Sequence, residues 1–287
     1  MNPAGEPSVR TRTVTTDGAD IVYDYEGSGQ ILLTIAARGG TGARYAGLSA
    51  ILKTDYTVVR YDRRCCGRSG GDKSRPMDLT QQARDAVAIL RDMGASQAYV
   101  LGNSAGASIA LKLAEVYPED VLGMIVHEPV TICILDDRDA LVQFNRKADD
   151  LYHREGAGAA GKLLATRMVG MPQGGPPTGN RPAGGDDADF FLSNEFMTLC
   201  YQWPDFDRIK RNGVKLSASK GALSGDAFYA RSADAVGAGV GCPVYTLSGN
   251  HIAYTTDPAT FAAELRPILA ELHNRTSSQA EELRGIS

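Results

Sequence analysis

A chain of 287 residues with 43% hydrophobic content can bury a substantial core, as one large domain or two small ones. Its net charge of −4, with no dense basic stretch, argues against a nucleic-acid or anionic-membrane partner. No apolar run approaches the ~20 residues of a membrane helix, and the polar, acid-bearing N-terminus does not resemble a signal peptide. Five scattered cysteines without a C-x-x-C pair fit a reducing, cytoplasmic setting and support no metal site.

Residues 1–9 read as mobile, and the strands Thr11–Thr16 and Ile21–Tyr25 flank the hairpin turn Asp17-Gly18. Ile31–Ala36 is a continuous apolar strand, followed by the glycine-rich loop Arg38-Gly39-Gly40-Thr41-Gly42 and a short helix over Tyr45–Leu52. Thr57–Tyr61 is the next strand, and Leu79, Ala83, Val87 and Leu90 give Leu79–Met93 helical spacing. Ala98–Leu101 reads as a buried strand, Ala105–Tyr117 as a helix, and Val121–Val126 as a strand ending in His127-Glu128-Pro129. This alternation implies a largely parallel sheet covered on both faces.

The pattern then changes. Asp139–Arg154, Gly161–Val169 and Asp189–Cys200 read as helices, with a long Gly/Pro-rich loop over Met171–Asp187. Alternation resumes with the strand Val214–Ala218, a helix over Ala227–Val236 and the strand Val244–Leu247. Asp257 caps a final helix with Pro258 at its first position, and the polar residues 274–287 read as frayed. Asn274-Arg275-Thr276 matches a glycosylation acceptor, which matters only in a secreted protein. The expected organisation is one α/β core, residues 1–136 and 206–287, interrupted by a helical lid insertion over 137–205.

Two G-x-S-x-G matches occur, around Ser69 and around Ser104. Ser69 is followed by a polar stretch and reads as a loop residue. Ser104, in Gly102-Asn103-Ser104-Ala105-Gly106, stands between a strand and a helix, the context of a nucleophile elbow. A serine needs a base, and the base must be held in one tautomer. Of the four histidines, His251 follows the last strand and would face the elbow. His153 and His273 lie on helices, and His127 alternates with Glu128 and reads as a packing residue. The acid is expected to be Glu128, the first acid after a buried run, with Asp226 second and Asp136 third. The N–H of Ala105 and that of Gly40 are the expected oxyanion donors, with Gly39 beside the substrate. Phe190, Phe191, Phe196, Met197 and Trp203 could line an apolar pocket. The glycine-rich loop lacks a P-loop lysine, so nucleotide binding gets little weight.

With these residues in place, the chain resembles the α/β-hydrolase fold superfamily. The likeness rests on the loop at 38–42, on Tyr61-Asp62-Arg63-Arg64-Cys65-Cys66-Gly67-Arg68-Ser69, on the elbow and on His251. It implies a mostly parallel eight-stranded sheet flanked by helices. That family usually has a glycine where Cys65 stands and often a histidine where Arg38 stands. His127-Glu128-Pro129 is similar to a signature of a subgroup that includes the zearalenone lactonases, which use a glutamate there. A serine at 104 argues against the branches with an aspartate nucleophile, and Asn103 resembles the carbon–carbon bond hydrolases. The expected protein is therefore a cofactor-independent serine hydrolase of an apolar small-molecule ester or lactone. Cleavage of diketone-like substrates, a non-hydrolytic cyclase and a ligand-binding protein stay open, and a homodimer is compatible with all of them.

Overall fold

The computed structural model describes residues 9–171 and 187–284. Most of the expected 1–9 segment and nearly all of the Met171–Asp187 loop lie outside the described residues.

The chain begins with a hairpin, β1 (Arg10–Thr16) and β2 (Ala19–Glu26), turning on Asp17 and Gly18, both at positive φ. Then come β3 (Ile31–Ile35), α1 (Ala46–Leu52), β4 (Thr57–Tyr61) and α2 (Leu79–Asp92). The Asp78 carboxylate caps α2 by accepting from the N–H groups of Thr80 and Gln81. β5 (Ala98–Asn103), α3 (Ala105–Val116) and β6 (Val121–His127) follow. Between β6 and the next strand lie α4 (Arg138–Glu155), α5 (Ala157–Ala165), α6 (Ala188–Phe190), a π-helical turn over Phe191–Glu195, α7 (Phe196–Cys200) and α8 (Phe206–Asn212). The chain ends with β7 (Leu216–Gly221), α9 (Phe228–Val240), β8 (Val244–Leu247), α10 (Ala253–Thr256) and α11 (Pro258–Arg284).

The eight strands form one sheet in the order β1-β2-β4-β3-β5-β6-β7-β8, antiparallel at β1, β2 and β4 and parallel from there on. This is the α/β-hydrolase fold. Strand residues alternate between two cores, as a period of two demands. Leu33, Val59, Val100 and Val126 pack with α2, α3 and α9, whereas Leu32, Val58, Leu101 and Ile125 pack with α1, α10 and α11. A third cluster, including Leu141, Ala148, Leu192 and Phe196, holds α4–α7 together.

Four elements differ from expectation. β7 runs over Leu216–Gly221 instead of 214–218, because Met124 to His127 of β6 pair with Leu216 to Ser219. The helix expected over Asp189–Cys200 is interrupted by the π turn, which brings Glu195 into a buried ion pair with Arg63. α8, capped by Asp205, has only Ile209 as a buried anchor, so it shows no periodic apolar stripe. The last helix continues to Arg284, past the point where fraying was expected.

Candidate active site

Register places the site. Asn103 of β5 pairs with His127 of β6, which pairs with Ser219 of β7, which pairs with Tyr245 of β8. The residues just beyond these pairs therefore emerge side by side at one end of the sheet. The Ser104 N–H donates to the His127 carbonyl at 2.9 Å, and the Glu128 N–H donates to the Ser219 carbonyl at 3.0 Å.

Ser104 has φ 55° and ψ −120°, a strained conformation for a residue with a side chain. Its glycine neighbours make the elbow possible. A Cβ on Gly106 would stand 2.0 Å from the Ile35 carbonyl oxygen, and one on Gly102 would stand 2.4 Å from the Gly106 oxygen. Only glycines let α3 start this close to β3 and β5. The other G-x-S-x-G serine is structural: Ser69 Oγ donates to the Asp62 carbonyl at 2.6 Å and accepts from the Val22 N–H at 2.9 Å. Cys65, where a glycine is usual, makes the same left-handed bend at φ 65°.

Glu128 also sits at positive φ, 49°, and is fully buried. Its Oε1 accepts from the Gly221 N–H and its Oε2 meets His251 Nδ1, both at 2.7 Å. Burial pushes the carboxyl upward, but the His251 hydrogen bond, the electrostatic influence of the neighbouring His127 and His251 rings and the Gly221 N–H together hold it below the usual range. An ionised carboxylate can only accept, so Nδ1 carries a proton, and the tautomer this selects is the one whose lone pair lies on Nε2. The ring, 4% exposed, packs against Tyr229 with centroids 4.3 Å apart, and Asn103 Nδ2 donates to the His251 carbonyl at 3.0 Å.

Ser104, Ala105 and His251 line one cavity of about 280 Å³ between the sheet end and the helices α4–α7. Phe191 and Phe196 also line it. Met197 packs at the edge of the α4–α7 cluster, and Trp203 is 64% exposed. Phe190 and Gly39 line a separate, smaller pocket beside Cys66 and Glu195.

The Gly40 N–H, the expected second oxyanion donor, is engaged inside its own loop. It donates to the Ala37 carbonyl at 3.0 Å and closes a turn. A Cβ on Gly40 would meet Cys66 Sγ at 2.4 Å, which places this residue against the neighbouring loop. Ala37 and Arg38, not Gly39 or Gly40, line the cavity. Arg63 fixes this turn from behind, with Nη2 3.3 Å from the Ala37 carbonyl.

The other candidate acids lie elsewhere. Asp226 is 94% exposed beside Arg231, and Asp136 is exposed. His127 is fully buried, with Nδ1 3.0 Å from Ser219 Oγ and its ring edge-on to Phe261. Burial lowers its pKa to about 4, so the ring is neutral. Sequence reasoning missed Tyr229, Tyr254 and the cavity-lining arginines Arg44 and Arg167, which stand on elements without a recognisable motif. Among the described residues no cluster of His, Cys, Asp and Glu could hold a metal ion, and no helix is long and apolar enough to cross a membrane.

A sequence model of the α/β-hydrolase fold family matches residues 32–174. An uncharacterized hydrolase, YraK, of Bacillus subtilis is 27% identical over 274 residues, covering 94% of this chain and 99% of its own. Among solved structures, Est816, described as an N-acyl homoserine lactone degrading enzyme, superposes with a TM-score of 0.73 at 19% identity, covering 89% of this chain and 99% of its own. The enol-lactonase from Burkholderia xenovorans LB400 gives 0.69 at 15% identity, covering 90% of this chain and 100% of its own.

Proposed function

We propose that this chain, which has the α/β-hydrolase fold, is a serine hydrolase opening an ester or lactone of an apolar small molecule. The observation that carries this reading is the 2.7 Å contact between His251 Nδ1 and Glu128, beside a strained serine on the same cavity.

Ser104 attacks the carbonyl carbon while His251 Nε2 takes its proton. Glu128 holds the ring in the required tautomer and stabilises the imidazolium. The N–H of Ala105, at the start of α3, and the turn at Ala37–Arg38 supply donors to the oxyanion. Collapse of the tetrahedral intermediate expels the alcohol, protonated by His251, and leaves an acyl-enzyme. Water, activated by the same imidazole, then releases the acid. Helices α4–α7 serve as a lid whose apolar underside, Phe191 and Phe196 among it, holds the acyl or lactone body. The glutamate after β6, and the lactone-directed proteins among the structural relatives, favour the lactone side of this proposal.

The test is turnover of acyl esters and lactones of graded size by the wild type and by Ser104→Ala. The substitution is expected to lower kcat by about 10⁴-fold or more. Undiminished turnover in a clean preparation refutes the nucleophile assignment. Including β-diketones in the panel separates carbon–carbon cleavage from ester cleavage.

A further inference from the structure

Helix α4 buries Leu141, Asn145 and Ala148, spaced at i, i+4 and i+7. That spacing is the stripe by which an amphipathic helix docks, and its middle position calls for an apolar side chain. Asn145 stands there instead, 7% exposed and on the wall of the cavity that holds Ser104. The other lining residues from α4 and α7 are Leu141, Phe144, Phe196, Leu199 and Cys200, none with a strong hydrogen-bonding group.

Burying a carboxamide in such surroundings costs about 1–3 kcal/mol unless hydrogen bonds replace those lost to water. The Asn145 N–H side is turned to the Cys200 thiol, a weak acceptor. Among the described residues no donor reaches the Asn145 oxygen, and that oxygen is not sealed from the open space beside it. Two other uncharged polar side chains of the wall are engaged by the protein itself. Asn103 Nδ2 donates to the His251 carbonyl at 3.0 Å, and the Tyr229 hydroxyl lies 2.8 Å from the Val169 N–H and 3.1 Å from its carbonyl.

Resting on the serine-hydrolase reading above, we propose that Asn145 is a specificity-determining residue whose oxygen accepts a hydrogen bond from the body of the substrate. The substrate is then an ester or lactone whose apolar body carries a hydrogen-bond donor, an aliphatic hydroxyl being the simplest. It supplies the partner that the fold withholds from Asn145. A body without a donor leaves the carboxamide buried and unpaired, and the cavity discriminates against it. Asn145 belongs to α4 and Ser104 to the elbow, so separate elements hold the body and the reacting carbonyl.

Two measurements test this. The first needs neither turnover nor a variant: calorimetry compares 2-nonanone with its hydroxy derivatives at each carbon from 4 to 9. These ketones match an octanoyl chain and are not hydrolysed. At least one hydroxy ketone is expected to bind roughly five- to tenfold tighter than 2-nonanone. The second compares kcat/KM for p-nitrophenyl octanoate, the derivative hydroxylated at the favoured carbon, and its methyl ether, which accepts but cannot donate. The hydroxy ester is expected to exceed both by a similar factor. Asn145→Leu, which restores the apolar stripe, is expected to lose that preference, and Asn145→Asp, which keeps the acceptor and the shape, to retain it. No hydroxy ketone binding tighter than 2-nonanone overturns the proposal whether or not the variants fold. So does a hydroxyl preference that persists in Asn145→Leu. Ser104-dependent cleavage without hydroxyl preference sinks this proposal alone. Inert Ser104 with hydroxyl-selective binding sinks the hydrolase reading and leaves a donor-selective cavity.

Discussion

Glu195 of the π turn reaches Arg63, which precedes the bend at Cys65, and the pair is nearly sealed from water at 2% and 0% side-chain exposure. Two short bonds, 2.6 and 2.9 Å, join carboxylate and guanidinium, and Arg63 also donates to the Ala37 carbonyl at 3.3 Å. Burial alone would lower the Arg63 pKa, but the Glu195 charge overrides it and keeps the guanidinium firmly protonated. Glu195→Ala therefore strands a buried cation. Removing one partner of such a pair costs about 3–5 kcal/mol, a large part of the ~5–15 kcal/mol that holds a typical domain folded. With a urea slope near 3 kcal/mol per M, the midpoint falls by about 1–1.7 M. Replacing both partners with apolar residues, as in Arg63→Met/Glu195→Leu, recovers most of that loss, because neither charge is then buried. Urea unfolding of the wild type, both singles and the double variant closes the cycle. A single-variant loss under ~1 kcal/mol, or a double variant as unstable as the two singles summed, refutes the reasoning.

Glu128→Gln keeps the shape of the acid but loses its charge and lets the ring take the wrong tautomer, so kcat should fall by about 10⁴-fold; Asp226→Asn, at an exposed position, should leave kcat within twofold. Steady-state kinetics on one ester checks both. Gly106→Ala drives a methyl into the Ile35 carbonyl at 2.0 Å, and thermal unfolding should show a loss of several degrees or no folded protein. His127 has a folded pKa of about 4 against an ordinary value of 6.5. The unfolded chain therefore binds its proton first, so the stabilisation is full above pH 6.5 and is lost as pH falls toward 4, by about 3 kcal/mol in all. Unfolding free energies measured across that window should fall less steeply in His127→Asn than in the wild type.

The strands and helices that carry the site were legible because each announced itself locally. Thr57–Tyr61 and Val244–Leu247 are short β-rich runs, and the structure has them with those bounds. The elbow was legible because small residues between a buried strand and a helix leave little else for Ser104 to be. The oxyanion loop was not. Whether Gly40 points its N–H at the site depends on the turn that its own bond to Ala37 closes, and that turn is set by Cys66 and Arg63 from another loop. The arginines were invisible for a related reason. Arg44 and Arg167 are far apart in sequence, and only the packing of the α4–α7 segment over the sheet end brings them to one cavity. Trp203 misled because an aromatic beside a helical segment suggests a wall, while the chain there turns it to solvent.

Intact-mass and peptide-mapping analysis after exposure to a fluorophosphonate tests the centre of this account. One adduct per chain on Ser104 is expected, strongly slowed in Glu128→Gln and His251→Gln. An unlabelled Ser104 in folded protein, or labelling at full rate without the imidazole at 251, would contradict it.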